Sequence, residues 1–295
     1  MSLSINRNIF IFLLIAVVAV SAFAQPASIS GAVNWKTMEI NAEISLDLAS
    51  AGIKLPSGRT QGENLLNFNY LRLIQSGILG IQVDSSSTIS DLIARGEMSI
   101  FDIEYLSIKA ASTPPALSSD LKNIFASYTI SMGNLSSSII RHARPVPILR
   151  TLSAVSAPAY TGIIIIANES LPVHGIRGSA LPVPCLFPKI WDTEMNLIFE
   201  KNMLNPTSSP PRYSPPSGIF ANSPSGLTPE MIALVGTRPM RIIARGVFGI
   251  TPTDLIIDRA DALEIISSEE NRRLISEGKI VIILDDSVLK YDLGH

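Results

Sequence analysis

Four consecutive isoleucines, Ile163–Ile166 in "YTGIIIIANESLPVHG", limit what this chain can fold into. They show no alternation of apolar and polar positions, so as a strand they need cover on both faces. Such a strand belongs in the middle of a sheet, with other layers above and below it. A chain of 295 residues with 46% hydrophobic content can supply that cover and still form two modules.

Other stretches carry different periods. Residues 35–48, "WKTMEINAEISLDL", place Met38, Ile40, Ala42, Ile44, Leu46 and Leu48 on one face, which predicts a half-buried strand. "AGIKLPSGR" then turns the chain at Pro56 and Gly58. Leu65, Leu66, Tyr70, Leu73 and Ile74 recur at three- and four-residue spacing, which predicts an amphipathic helix of about five turns. "GIQVDSSSTISDLIARGE" gives a short strand, a serine-rich turn around Asp84 and a short helix capped from Thr88 or Ser90. "MSIFDIEYLSIKA" and "IFASYTISMGNLSSSII" read as two further extended stretches, and the prolines of "RPVPILRTLSAVSAPAY" mark a boundary near residue 150.

Beyond the isoleucine strand, "PVHGIRGSALPVPCLFPKIWD" is loop-like and "MNLIFEKNML" suggests a strand. Residues 205–229 hold seven prolines and predict a polyproline-like surface loop or a mobile flap. "RPMRIIARGVFG" reads as a strand with Arg238, Arg241 and Arg245 at or near its polar positions. "RADALEII", capped from Asp258 with Asp261, and "EENRRLISEG", capped from Ser268, read as helices, and "KIVIILDD" as a closing buried strand. The expected class is α+β: two mixed modules, residues 25–150 and 151–295, each a small sheet with one or two packed helices.

The start of the chain predicts export. Arg7, an apolar run over residues 9–20 and Ala22-Phe23-Ala24 describe a signal peptide over residues 1–24. Twelve helical residues reach only ~18 Å, short of a ~30 Å hydrocarbon core. No cysteine stands at the cleavage point, so a lipoprotein signal is not expected. No later apolar run is long enough for a transmembrane segment, and the expected location is periplasmic or outer-membrane-associated.

Composition narrows the chemistry. A single cysteine excludes an internal disulfide framework and cysteine-rich zinc sites. A net charge of −2 leaves no nucleic-acid footprint. Charged residues make up 16% of the chain, against ~25% in a typical domain, which suits subunit contacts and a homo-oligomer. The catalytic candidate is Cys185 paired with His174 or His142, because a thiolate nucleophile needs a base within reach. Cys185 lies between Pro184 and Leu186 with no positive residue within three positions, so a packed thiol is the expected reading. His142, His174 and His295 lack metal-ligand spacing, and Asp285-Asp286 lacks the repeated oxygen ligands of a cation loop. No phosphate-binding glycine loop or Gly-x-Ser-x-Gly elbow occurs. No catalytic, cofactor-binding or metal residue is therefore assigned.

Three segments together carry a resemblance. "GENLLNFNYLRLIQSGILGIQVDSSSTISDLI", "YTGIIIIA" with "FPKIWD", and "ADALEIISSEENRRLISEGKIVIILDD" follow one another along the chain. They resemble segments of the small outer-membrane lipoprotein family that includes the flagellar basal-disk protein FlgP. The resemblance implies a non-enzymatic structural protein, a long and non-lipidated relative, with envelope or flagellar motor proteins as partners. Two departures are the missing lipidated cysteine and Ala167-Asn168-Glu169, which replace the family's Asp-Ala-Arg. The expected function is thus an exported, non-catalytic structural or assembly protein of the bacterial cell envelope, associated with the outer membrane or the flagellar motor. The rival expectation is a periplasmic enzyme or ligand-binding protein with a site near His174 and Cys185, the proline-rich segment forming its lid.

Overall fold

The computed structural model describes residues 26–148, 157–220 and 223–293. The expected signal peptide, the boundary near residue 150 and His295 lie outside the described residues. The fold is α+β, as its periodicities predict.

The first sheet starts with a hairpin, β1 (Ala27–Asn34) and β2 (Glu39–Asp47). In β2, Ile40, Ala42, Ile44 and Leu46 are buried and the residues between them are not, as period two requires. The alternation does not extend back to Trp35, because residues 35–38 make the hairpin turn and Met38 there adopts a positive φ of 57°. Helix α1 (Arg59–Leu79) crosses this sheet and buries Leu66, Tyr70, Ile74 and Ile78, four residues at helical spacing. A small hairpin, β3 (Gln82–Asp84) and β4 (Ser87–Thr88), leads into α2 (Ile89–Ala94). Thr88 and Asp91 cap α2 reciprocally, each side chain accepting the other's backbone N–H.

The next segment departs from the sequence reading. Residues 100–108 were expected to be extended but form α3 (Ile100–Ile108), which starts at a second capping box, Ser99 with Asp102. Ile103 and Ser107 face inward, while Phe101, Tyr105 and Ile108 face solvent. Apolar residues on both sides of the helix blur its 3.6-residue period, so the capping box is the signal that survives. After the short strands β5 (Ala111–Ser112) and β6 (Ala116–Leu117), β7 (Asn123–Ser131) buries Ile124, Ala126, Tyr128 and Ile130. The remainder of that stretch is helical, α4 (Met132–Ile139), not extended. The Tyr70 and Tyr128 rings stack at 3.6 Å between helix and sheet.

In the second half, β8 (Ile163–Ile166) is central to a parallel sheet. Ile163 and Ile165 join the main core, whereas Ile164 faces a smaller cluster with Ile219, Leu227, Met231 and Val235. Cover on both faces is thus met. Two short strands, β9 (Leu171–Pro172) and β10 (Ser179–Ala180), form a hairpin, followed by β11 (Ile190–Asp192) and β12 (Leu197–Phe199). The proline-rich segment is not a surface flap. It contributes β13 (Arg212–Ser214) to the parallel sheet, buries Tyr213, Ile219 and Leu227, and ends in the Thr228 cap of α5 (Pro229–Val235). Apolar anchors spaced among the prolines draw the segment into the core, partly as the extended β13 and partly through one 3-10 turn at Pro216–Gly218.

"RPMRIIARGVFG" supplies two strands to two sheets, β14 (Met240–Ile243) and β15 (Gly246–Phe248). Next come β16 (Asp254–Ile257), α6 (Arg259–Ser267), α7 (Glu269–Ser276), capped by Ser268, and β17 (Ile280–Ile283). Asp258 makes no side-chain cap for α6; its carboxylate pairs with Arg245 at 2.6 Å instead. The parallel sheet runs β13-β17-β8-β14, and a second, mixed sheet runs β12-β11-β16-β15.

The two halves are tied together. The last strand, β18 (Lys290–Asp292), pairs antiparallel with β1, so the end of the chain completes the first sheet. One cluster of buried residues runs from Ala27 to Leu293 and takes in both sheets of the second half. Trp35, at the hairpin tip, packs edge-on to Tyr213 at 5.7 Å and donates its backbone N–H to Leu289. Lys36 pairs with Asp286 at 3.0 Å beside it.

Candidate functional site

A seam cavity of about 600 Å³ is one place where both halves contribute to a concave surface. Ser85 and Ser86 enter it from the β3–β4 turn; His174, Ile176, Lys189, Phe248, Ile250 and Asp254 enter it from the second half. The turn is held there by backbone bonds. The N–H groups of Leu186, Phe187 and Thr251 donate to the carbonyls of Gln82, Val83 and Ser85 at 3.0, 2.8 and 2.9 Å. Gly249 has a φ of +111°, and a Cβ on it would land on Ser85. Only glycine allows that approach without strain.

Asp254 forms the floor. It is 1% exposed and opens a strand that is otherwise wholly apolar. Ser85 Oγ donates to it at 2.9 Å, the Lys189 backbone N–H at 3.2 Å, Trp191 Nε1 at 3.4 Å and Thr253 Oγ1 at 3.2 Å. Burial raises the pKa of this carboxyl, and the donors from Lys189, Ser85 and Trp191 oppose that rise. With four donors around two oxygens, the carboxylate is committed to joining the β3–β4 turn to β11 and β16.

The catalytic candidates are not assembled. Cys185 is fully buried, and Tyr213 Oη donates to its carbonyl at 2.7 Å while accepting its N–H at 3.1 Å. Burial pushes the thiol pKa well up, and the nearby Asp254 carboxylate adds to that rise, the reverse of what a nucleophile needs. His174 instead lines the cavity, its ring edge-on to Phe248 at 5.9 Å, and no hydrogen bond joins it to Cys185. His142 bonds to the Leu204 carbonyl at 2.7 Å. The arginines are likewise occupied: Arg238 donates to Ala159 O, Arg241 to Ser225 O and Arg245 to Asp258. None of the three lines the cavity with His174. In a labelling experiment, Cys185 should therefore react with a soluble thiol reagent roughly 100-fold or more slowly in the folded protein than in denaturant, because attack requires opening of the core.

Sequence reasoning missed Asp192 as well as Asp254. Asp192, fully buried at the end of β11, binds Arg259 and the side chain and N–H of Asn196. Burial alone would raise its pKa, but the bonds from Asn196, Arg259 and Glu194 outweigh that and hold it below the ordinary carboxylate value. Its contribution to stability is thus present above the unfolded carboxylate pKa and is lost as pH falls through the folded one. A single acidic residue at the end of a short apolar strand was the available signal for both sites.

Among the described residues, no group of three His, Cys, Asp or Glu could hold a metal ion, and no helix is long and apolar enough to cross a membrane. Comparison with known families places the chain elsewhere than its sequence resemblance did. No curated protein matches it significantly. Residues 26–138 match the family described as Treponema pallidum Tp0624, N-terminal domain, and residues 162–286 match Treponema pallidum Tp0624, second domain. This is a different family from the outer-membrane lipoproteins that include FlgP, and it overturns that resemblance. Through both of its halves, and in the same order, the chain is similar to the N-terminal and second domains of Treponema pallidum Tp0624.

Proposed function

We propose that this is an exported, non-catalytic structural or assembly protein of the cell envelope that works as a homo-oligomer. The observation that carries the reading is the outer face of α3. Phe101, Tyr105 and Ile108, spaced four and three residues apart, are 72%, 62% and 67% exposed. Large apolar groups in a helical stripe cost free energy in water and favour a covering partner. The stripe has Asp102 and Glu104 towards its start and Lys109 at its end. An antiparallel copy of α3 sets the acidic end of one helix against the basic end of the other, which suits a two-fold contact with a second copy of this chain. The low overall charge fits the same reading. Partners other than its own copies are envelope proteins, and the location is periplasmic or beside the outer membrane.

The test uses two exposed substitutions, Phe101→Glu and Tyr105→Glu. Both sit in solvent, so stability should change by only about 0.5 kcal/mol. The double variant is expected to sediment at a lower mass than wild type and to lose in vivo function. An unchanged mass at equal concentration would remove α3 from the contact.

A further inference from the structure

We infer that the seam cavity binds a small amphipathic carboxylate, with an apolar body against the cavity wall and its anionic head at Lys189 and His174. The wall is apolar: Val173, Ile176, Phe248 and Ile250 line it, and Ile176 and Ile250 stand 68% and 90% exposed at the rim. Two isoleucines left in water beside a cavity of drug-like size are covered when an apolar body enters. The sign of the head group follows from which polar groups are free. Asp254 is surrounded by four donors from Ser85, Lys189, Trp191 and Thr253, so it has little capacity left to hold a ligand ammonium. The Lys189 ammonium makes no hydrogen bond or close ion pair among the described residues; it acts on the Asp254 carboxyl only through space, while its backbone N–H is tied down. The His174 ring contacts Phe248 and has no hydrogen-bond partner among the described residues. The free groups at the cavity are therefore an ammonium and an imidazole that can each donate, and a carboxylate accepts from both. Because Ser85 comes from the first half and Lys189 from the second, an occupant spans the joint between them.

The chemistry has two sources, a short acyl chain or the apolar carboxyl end of a peptide, and both present one carboxylate on an aliphatic body. Trp191 reports on the site because its ring lies 6.1 Å from Phe248. Full-length protein is titrated with octanoate and with N-acetyl-leucine while tryptophan emission is followed. Octylamine and octanol serve as matched controls. A saturable change with either carboxylate, at least about tenfold weaker with both controls, supports the site, and the better of the two identifies the source. Lys189→Gln should weaken that response about tenfold with little change in melting temperature, since its ammonium makes no hydrogen bond in the fold and meets the Asp254 carboxyl only through space. No saturable response to either carboxylate, an equal response to octylamine or octanol, or full binding by Lys189→Gln would overturn the inference. The assembly reading stands or falls separately, because α3 contributes nothing to this cavity.

Discussion

Replacing Trp35 by alanine is expected to cost about 3–5 kcal/mol and to destabilise both halves of the protein together. Trp35 is 1% exposed and sits where the first hairpin meets Tyr213 of the proline-rich segment and the backbone of Leu289. Deleting the indole leaves a cavity bounded by residues from both halves. With a total stability of ~5–15 kcal/mol for a typical domain, a loss of that size lowers the melting point by many degrees. Because one buried cluster runs through both halves, unfolding followed by far-UV circular dichroism and by tryptophan emission, which comes from Trp191 alone in the variant, should give one coincident transition, shifted as a whole. Two separate transitions, with only the first moved by Trp35→Ala, would show that each half keeps its own core.

The second large effect is expected at Asp254. Asp254→Ala strands four donors in the interior, and at 1–3 kcal/mol for a buried unsatisfied group the expected loss is about 3 kcal/mol after local relaxation. Asp254→Asn keeps the shape and one acceptor oxygen, so about half of that loss is expected. The pH dependence has a definite sign. Burial raises the folded pKa of Asp254 above its unfolded value, so its linked contribution is fully present below the unfolded pKa and is lost as pH rises through the folded one. Acidification from about pH 7 to about pH 4 should therefore favour wild type relative to Asp254→Asn, measured as a widening gap in urea midpoints. A gap that narrows on acidification would mean that the carboxylate is held in its charged form by its donors.

Much of the fold was legible because it is written in local periods. Four adjacent isoleucines demanded a doubly covered strand, and Ile163–Ile166 lies between β17 and β14 with apolar residues on both sides. The alternation of Ile40 to Leu46 and the helical spacing of Leu66, Tyr70 and Ile74 were equally direct. What stayed hidden is non-local. Nothing in "LKYDLG" announces a strand that returns to pair with β1, because the partner lies at the other end of the chain. The proline-rich stretch looked like a flap because its composition is that of a loop; Tyr213, Ile219 and Leu227 within it are the anchors that draw it into the core.

The site was less legible than the fold. Cys185 and His174 attracted attention as reactive residue types, yet the cysteine packs against Tyr213 while the histidine lines a cavity. Asp254 passed as an ordinary strand start, although its bond to Ser85 spans 169 positions and joins the two halves. Such a network depends on how the sheets come together, and no window of sequence contains it.

The proposed function rests on association through α3, and the native mass of the protein tests it most directly. Endogenous protein would be extracted from envelopes in mild detergent and its mass measured by light scattering after size exclusion. The account predicts a species at least twice the mass of one mature protomer, which is itself lighter than the 31.8 kDa of the full chain once the expected signal peptide is removed. A species of one protomer's mass that washes freely from the envelope would contradict it.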